Sequence, residues 1–245
     1  MNLTYFQPIP RRRLALLAGI LLLAAAGPVP AVPKAAPAER RILVIGDSQA
    51  QGLAAGLIRL YLRHPEIHVL DHSKIGTGLA RMVFDWPGQT GPIAAANPAD
   101  LVVVMFGAND RPTIRRHGKI DAALADGFTK TYGGRVDAVI AALRAAKLPI
   151  IWVGHPQVRD PEYNEDMKFL NGIFETEAKK DGADFVPIWD LFAGEDGGYD
   201  AYGKGLEGAT ERLRADDGVH MSRAGYDVLA HFLQTKLDAA LAVKK

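Results

Sequence analysis

The chain has 245 residues, of which 48% are hydrophobic and 23% are charged, and its formal net charge is +1. A chain of this length and composition is typical of a globular protein of one domain that can bury its own core. It contains no cysteine, which excludes disulfide bonds, thiolate metal ligands and a cysteine nucleophile.

The N-terminal segment has the pattern of a secretory signal. Three arginines at 11–13 precede an uncharged apolar run at 14–26, and alanine- and proline-rich residues follow. This run is shorter than the roughly 20 residues that a membrane-spanning helix needs. We therefore predict a cleaved signal peptide and linker at 1–38, a folded domain at 39–245 and a periplasmic or secreted location. An uncleaved anchor is the alternative, and membrane contact is expected only through this signal.

The balance of charge changes when this segment is removed. Residues 1–38 contain four basic residues and no acidic ones, so 39–245 carries a formal charge of −3. No run of basic residues occurs in the remaining sequence, and we therefore expect no nucleic-acid partner. No feature of the sequence indicates an oligomeric state.

Strand and helix patterns alternate from residue 41 onward. Short apolar runs predict strands at 41–45, 67–70, 101–106, 149–153 and 185–188. Amphipathic patterns predict helices at 50–62, 121–146, 162–180 and 222–241, with Gly133 and Gly134 expected to disturb the second. Segment 192–215 is predicted to be a loop insertion on the active-site side. The alternation predicts an α/β fold, a three-layer α/β/α sandwich with a mostly parallel sheet of about five strands.

A serine follows the first predicted strand, in the sequence Gly46-Asp47-Ser48-Gln49. Catalytic groups in open parallel sheets gather beyond the carboxyl ends of the strands. A serine at such a strand-to-helix turn is exposed near a helix N-terminus, where developing negative charge is stabilised. Ser48 is therefore a candidate nucleophile, and the alternative is that it only caps the helix.

Three further signatures follow in chain order. Gly76 comes after the second predicted strand, where it could serve a tight turn or the close approach of a ligand. Asn109 comes after the third strand, and its amide could donate to an oxyanion or to loop carbonyls. His220 precedes the last helix, with Asp217 three residues earlier, where a carboxylate can fix the imidazole tautomer.

Together these four blocks resemble those of the SGNH (GDSL) hydrolase superfamily over nearly all of 39–245, a group of flavodoxin-like α/β folds. The resemblance implies that Ser48 is the nucleophile, that His220 is its base and that Asp217 orients His220. It also implies an oxyanion hole formed by the amides of Ser48 and Gly76 and by the side chain of Asn109. Serine needs such a base to attack an ester.

Two features depart from the superfamily pattern or leave a choice open. Gln49 stands where the superfamily commonly has leucine, which puts the substrate preference in doubt. Asp216 neighbours Asp217 and could compete for His220, although the spacing favours Asp217. Candidate substrate-binding residues are Gln49, Trp86, Arg111 and His155, with core packing as the alternative for Trp86.

The sequence predicts no metal and no cofactor. His68 and His72 are four residues apart, but on a strand and its exit they would not share a face as helical residues do. The predicted function is that of an exported serine esterase that removes O-acyl groups, acetyl above all, from an envelope polysaccharide or peptidoglycan. The partner is then an acylated carbohydrate or another small ester. Alternatives are an O-acyltransferase with the same triad, a lysophospholipase or thioesterase, and a non-catalytic carbohydrate-binding or assembly protein.

Overall fold

The computed structural model describes residues 1, 38–81 and 83–242. The predicted signal peptide and linker at 1–38 therefore lie almost wholly outside the described residues. Among the helices of the described part, none combines the length and apolarity that crossing a membrane requires.

Five strands form one parallel sheet, and two pairs of short strands form antiparallel hairpins. The strands are β1 (Arg40–Gly46), β2 (Ile67–Asp71), β3 (Leu101–Met105), β4 (Arg115–Arg116), β5 (Lys119–Ile120), β6 (Ile150–Val153), β7 (Asp184–Val186), β8 (Tyr202–Lys204) and β9 (Thr210–Arg212). The helices are α1 (Ser48–Leu60), α2 (Trp86–Ala96), α3 (Ala122–Ala145), α4 (Pro161–Asp181) and α5 (Arg223–Ala242). The main sheet has the order β2-β1-β3-β6-β7. The predicted parallel sheet of five strands is confirmed.

Alternate side chains of the central strands enter two different cores. Ile42 and Val44 of β1 pack with α1 and α5, whereas Leu43 and Ile45 pack with α2, α3 and α4. Successive side chains of a strand point to opposite faces, so a strand covered on both sides is apolar throughout. The three-layer α/β/α sandwich predicted from the sequence is confirmed.

Helix α3 runs without interruption through Gly133 and Gly134, so the predicted disturbance there is wrong. Gly133 lies against α4, where an added Cβ would sit 2.9 Å from Glu177 Oε1. Close packing against α4 therefore offsets the low helix propensity of the two glycines.

Helix α2 and both hairpins were missed. Pro87 and Pro92 lower the helical signal of α2, but Asp85 caps it by accepting from the amide of Gly88. Segment 192–215 is not only a loop, because β8 and β9 pair within it. Its glycines obscure the strand pattern, since glycine is depleted in strands.

Helices α1 and α5 approach closely because α1 carries glycine at two positions on one face. A Cβ added at Gly52 would lie 2.0 Å from Tyr226 Cζ, and one added at Gly56 would lie 2.5 Å from the Tyr226 carbonyl oxygen. Ser48 is the first residue of α1, and the segment with Asp217 and His220 leads into α5. The spacing of the two helices is thus set by the absence of two side chains.

We predict opposite effects for two glycine-to-alanine changes inside helices. Gly52→Ala should lower the free energy of unfolding by about 1–3 kcal/mol, because the new methyl group overlaps the buried Tyr226 ring. Gly134→Ala, where a Cβ meets nothing within 4 Å, should raise it by about 0.5–1 kcal/mol through helix propensity. Urea unfolding of both variants measures the two changes. Equal effects would contradict the close packing of α1 on α5.

Candidate active site

The carboxyl ends of β1, β2 and β3 bring three of the four sequence blocks to one edge of the sheet. Ser48 comes two residues after the end of β1, Gly76 lies in the loop after β2, and Asn109 lies in the loop after β3. The turn with Asp217 and His220 precedes α5, which packs beside α1. The fold therefore assembles residues from four separate segments.

Ser48 is the first residue of α1, and the cap of that helix is Asp47. Asp47 Oδ1 accepts a hydrogen bond of 2.9 Å from the amide of Gln49. The alternative in which Ser48 itself is the capping residue is therefore wrong. The turn requires Gly46, whose φ is +144° and whose added Cβ would lie 1.9 Å from the Met105 carbonyl oxygen. The Ser48 hydroxyl is left for another partner.

That partner is His220. Ser48 Oγ lies 2.7 Å from His220 Nε2, and His220 Nδ1 lies 2.6 Å from Asp217 Oδ2. Because a carboxylate can only accept, Nδ1 carries the hydrogen and Nε2 is left as the acceptor for the serine hydroxyl. The structure therefore brings together the three residues predicted as a triad, in the order nucleophile, base and orienting carboxylate.

The Asp217 carboxylate is held by its own turn. Its Oδ1 accepts from the amides of Val219 at 2.8 Å and His220 at 2.9 Å. Burial alone would raise its pKa, but these two bonds and the imidazole contact lower the pKa below the ordinary 3.8. The carboxylate therefore stays ionised at neutral pH, as a group that stabilises an imidazolium must.

Asp216 points elsewhere. Its side chain is 90% exposed and pairs with Arg212, while its carbonyl oxygen accepts from Arg159 Nη1 at 3.0 Å. The geometry therefore selects Asp217 over Asp216 as the partner of His220.

Of the three predicted oxyanion donors, one is in the first turn of α1 and two are in loops. The Ser48 amide is in the first turn of α1, where helix amides have no intrahelical acceptor. Gly76 has φ of +73°, and a Cβ there would meet nothing within 4 Å, so its backbone faces open space. Asn109 Nδ2 donates one hydrogen to the Thr77 carbonyl oxygen at 2.9 Å. The amide has a second hydrogen to offer an oxyanion.

Two buried carboxyl groups connect these loops. Asp47 Oδ2 accepts from the amides of Gly107 and Ala108 at 3.1 Å each, which joins the serine turn to the Asn109 loop. Asp110 accepts from the amides of Leu79 at 2.7 Å and Ala80 at 2.9 Å, which joins the Asn109 loop to the Gly76 loop. Asp110 therefore braces the Asn109 loop against the Gly76 loop.

Burial controls the ionisation of both groups. It raises the pKa of Asp47 to about 7, because full burial and the nearby Asp110 outweigh three hydrogen bonds from backbone amides. It also raises the pKa of Asp110, against the hydrogen bonds that Asp110 accepts from Leu79, Tyr132 and Ala80.

Three of the four candidate substrate-binding residues are fully buried: Gln49, Trp86 and His155. Trp86 Nε1 donates to Thr77 Oγ1 at 2.9 Å, and its ring packs edge-on against Phe106. A side chain without exposed surface cannot contact a substrate at this site. The prediction is therefore wrong for these three residues, and the packing alternative holds for Trp86.

His155 lies beneath the site. Its Nδ1 lies 2.9 Å from the Pro156 carbonyl oxygen, and its amide donates to Asn171 Oδ1 at 2.7 Å. Burial lowers its pKa to about 4, so the ring is neutral. Arg111, in contrast, keeps 45% of its side chain exposed, but it pairs with Asp166 at 2.8 Å and Glu162 at 2.9 Å. It anchors the Asn109 loop to α4 and still offers a surface to a ligand.

Sequence reasoning missed Arg214, which is fully buried. Its Nη2 donates to the Val219 carbonyl oxygen at 2.9 Å, and its guanidinium lies 5.0 Å from the centre of the Tyr199 ring. Arg214 therefore supports the turn that carries His220. The sequence around Arg214 does not indicate this role, because an arginine in a polar stretch is normally exposed.

One group of side chains in the described part has the spacing of metal ligands: Asp137, Glu177 and Asp181 on α3 and α4. Lys180 Nζ lies 2.6 Å from Asp137 Oδ2 and 3.1 Å from Glu177 Oε2. An ammonium group thus already supplies the positive charge there, and none of these residues contacts the serine site.

Comparison with known proteins places the chain in a family. Residues 41–236 match the family described as "Protein of unknown function (DUF459)", and the chain belongs to it. No curated protein matches the chain significantly.

Solved structures with the same fold include SGNH and GDSL hydrolases. A GDSL-like lipase from Bacteroides thetaiotaomicron has 17% identity and a TM-score of 0.58, covering 82% of this chain and 89% of its own. A candidate SGNH hydrolase from Slackia heliotrinireducens has 21% identity and a TM-score of 0.56, covering 81% and 99%. A catalytic mutant of an acetylxylan esterase from Geobacillus stearothermophilus has 17% identity and a TM-score of 0.56, covering 85% and 97%. The chain has the SGNH hydrolase fold.

We predict that the two neighbouring aspartates differ in their effect on ester turnover. Asp217→Asn should reduce kcat by up to about 10⁴-fold, because an amide neither holds the tautomer nor stabilises the imidazolium. Asp216→Asn should change it by less than about tenfold, roughly 1.4 kcal/mol in barrier height. Steady-state kinetics of both folded variants measures this. Equal losses, or the reverse order, would contradict the assignment of Asp217.

We also predict a pH dependence of stability from Asp47. Its carboxyl binds a proton more tightly in the folded state, so its contribution is complete below about pH 4 and is lost as the pH rises towards the folded pKa of about 7. Asp47→Asn removes this titration. The stability of the native protein relative to this variant should therefore decrease between pH 4 and pH 7, as measured by urea unfolding at several pH values. A relative stability that increases with pH would mean that the amide hydrogen bonds outweigh burial.

Proposed function

We propose that the protein is a serine ester hydrolase that works through an acyl-Ser48 intermediate. The observation that carries this proposal is the aligned pair of contacts at His220, 2.7 Å to Ser48 Oγ and 2.6 Å to Asp217 Oδ2. A serine hydroxyl needs an adjacent, oriented base to become a nucleophile, and this geometry supplies one. The buried Asp47 and Asp110 hold the proposed oxyanion donors around the same serine.

The reaction follows from these positions. Ser48 Oγ attacks the ester carbonyl carbon while its proton passes to His220 Nε2. The amides of Ser48 and Gly76 and the second Asn109 hydrogen stabilise the oxyanion. The tetrahedral intermediate collapses, and the alcohol leaves with the proton from His220. A water molecule, with His220 again as the base, then attacks the acyl-serine and releases the acid.

The proposed substrate is an O-acylated glycan of the bacterial envelope, with acetyl as the acyl group. The signal-like pattern at 11–26 favours an exported protein, and the acetylxylan esterase with the same fold is an enzyme that acts on an acetylated polysaccharide. His220 and Asp217 keep 34% and 49% of their side chains exposed, which suits a bulky glycan that carries a small acyl group. Transfer of the acyl group to a sugar hydroxyl would use the same triad.

We predict that Ser48→Ala abolishes turnover of a small acetyl ester, with a loss on the order of 10⁴-fold or more. Folding should be unchanged, because the side chain is small and lies in the first turn of α1. Ser73→Ala is the matched control, because Ser73 lies in the loop after β2 and its hydroxyl donates to Asp71 at the end of that strand. Hydrolysis assays with circular dichroism measure both. An Ser48→Ala variant that keeps most of its activity would contradict the proposal.

Product analysis separates hydrolysis from transfer. The protein is incubated with the acetyl ester, with and without oligosaccharide acceptors, and products are followed by mass spectrometry. Free acetate alone supports a hydrolase, whereas acetylated oligosaccharide supports a transferase. Absence of reaction with every ester tested would support a non-catalytic binding protein.

A further inference from the structure

The residue after the predicted nucleophile is a fully buried amide, Gln49. Its Nε2 donates to the Val219 carbonyl oxygen at 2.9 Å, and its Oε1 accepts from the Tyr226 hydroxyl at 2.9 Å. A polar side chain in a core is tolerated when its groups are hydrogen-bonded, as both ends of this amide are. A leucine at this position could make neither bond.

The partners of Gln49 lie on both sides of His220. Val219 immediately precedes the histidine, and Tyr226 is in the first turn of α5, six residues after it. Gln49 in turn immediately follows Ser48. The Ser48–His220 contact joins residues 172 positions apart. The hydrogen bond between Gln49 and Val219 joins the next residue of one segment to the preceding residue of the other, and it is partly buried.

Arg214 provides a second hydrogen bond to the Val219 carbonyl oxygen. Its Nη2 and Gln49 Nε2 both donate to the Val219 oxygen at 2.9 Å, so both lone pairs are used. Arg214 belongs to the chain segment leading into the turn, so it fixes the turn internally. Gln49 belongs to α1, so it alone of the two donors fixes the turn relative to the serine.

We propose that Gln49 is a positioning residue, which sets His220 Nε2 against Ser48 Oγ through the Val219 carbonyl. This inference rests on the proposed function, because it concerns the same reaction. Removing the amide leaves the Tyr226 hydroxyl without its acceptor in the core and frees the turn to shift. A displacement of about 1 Å between reacting groups can cost about 10²-fold in rate.

The first test replaces Gln49 by leucine and by methionine, with Gln51→Leu as the matched control. Gln51 lies two residues further along α1 with an exposed side chain. Both Gln49 variants should lose about 10- to 100-fold in kcat with KM changed less than about twofold. Gln51→Leu should behave like the native protein. A native kcat in folded Gln49 variants would reduce Gln49 to a packing residue. A raised KM with a native kcat would also contradict the proposal, because the change would then affect substrate binding and not the position of His220.

The second test uses Gln49→Glu, which keeps the shape but can donate to Val219 only when its carboxyl is protonated. Burial raises the pKa of such a group, so its kcat relative to the native protein should be nearest to one at low pH and fall as the pH rises. The ratio for Gln49→Leu should not depend on pH. A pH-independent ratio for Gln49→Glu would overturn the proposal, because a residue that acts only through packing would give a ratio that does not change with pH.

Labelling of Ser48 by a sulfonyl fluoride separates failure of this inference from failure of the proposed function. Ser48 Oγ displaces fluoride from sulfur while its proton passes to His220. The native protein should react at Ser48, and Gln49→Leu should react about 10- to 100-fold more slowly. Equal rates would overturn the role of Gln49 alone. A native protein that is neither labelled at Ser48 nor active on esters would overturn both proposals.

Discussion

The buried carboxyl group of Asp47 is the constraint on which the arrangement of the site depends. One oxygen caps α1 through the Gln49 amide, and the other accepts from the amides of Gly107 and Ala108. Gln49 is in the first turn of α1, and Gly107 and Ala108 follow β3. A single side chain therefore connects the segments that follow two neighbouring strands. Ser48 and Asn109 each lie within two residues of these contacts. Their separation is therefore set by hydrogen bonds that water cannot replace, because the group is fully buried.

The position of the base depends on a different interaction, the packing of α5 on α1. Gly52 and Gly56 leave room for Tyr226, and Tyr226 in turn bonds Gln49. The turn before α5 is thereby held against the start of α1. Arg214 also donates a hydrogen bond to the Val219 carbonyl oxygen in this turn. Sheet and helices act on separate parts of the site: the strand ends position the nucleophile and the oxyanion donors, and the helix pair positions the histidine.

The elements with strong periodic patterns could be predicted from the sequence. The strands around Ile42, Val103 and Ile151 are short apolar runs, and α5 has both an apolar face and a polar residue before its start. Helix α2 was missed because Pro87 and Pro92 suppress the local signal, although Asp85 and burial of Trp86 stabilise it. The interruption predicted at Gly133 did not occur because α4 packs against that glycine.

The site blocks were predictable because each lies in a segment that follows a strand or precedes a helix. The burial of side chains around them was not. Gln49, His155 and Arg214 are polar residues whose partners are distant in sequence, such as Val219 for Gln49 and Asn171 for His155. Local sequence shows neither the partner nor the burial. Gln49 and His155 are therefore predicted as substrate-binding residues, and Arg214 is not identified.

The central claim is that Ser48 carries the acyl group during turnover. The most direct measurement mixes the protein with an activated acetyl ester, stops the reaction with acid during the first turnover and maps the acetylated peptide by mass spectrometry. The account predicts one acetyl group per chain on Ser48, which disappears on longer incubation as acetate is released. Acetate release without any acylated serine, or a labelled residue other than Ser48 that turns over at the same rate, would contradict it.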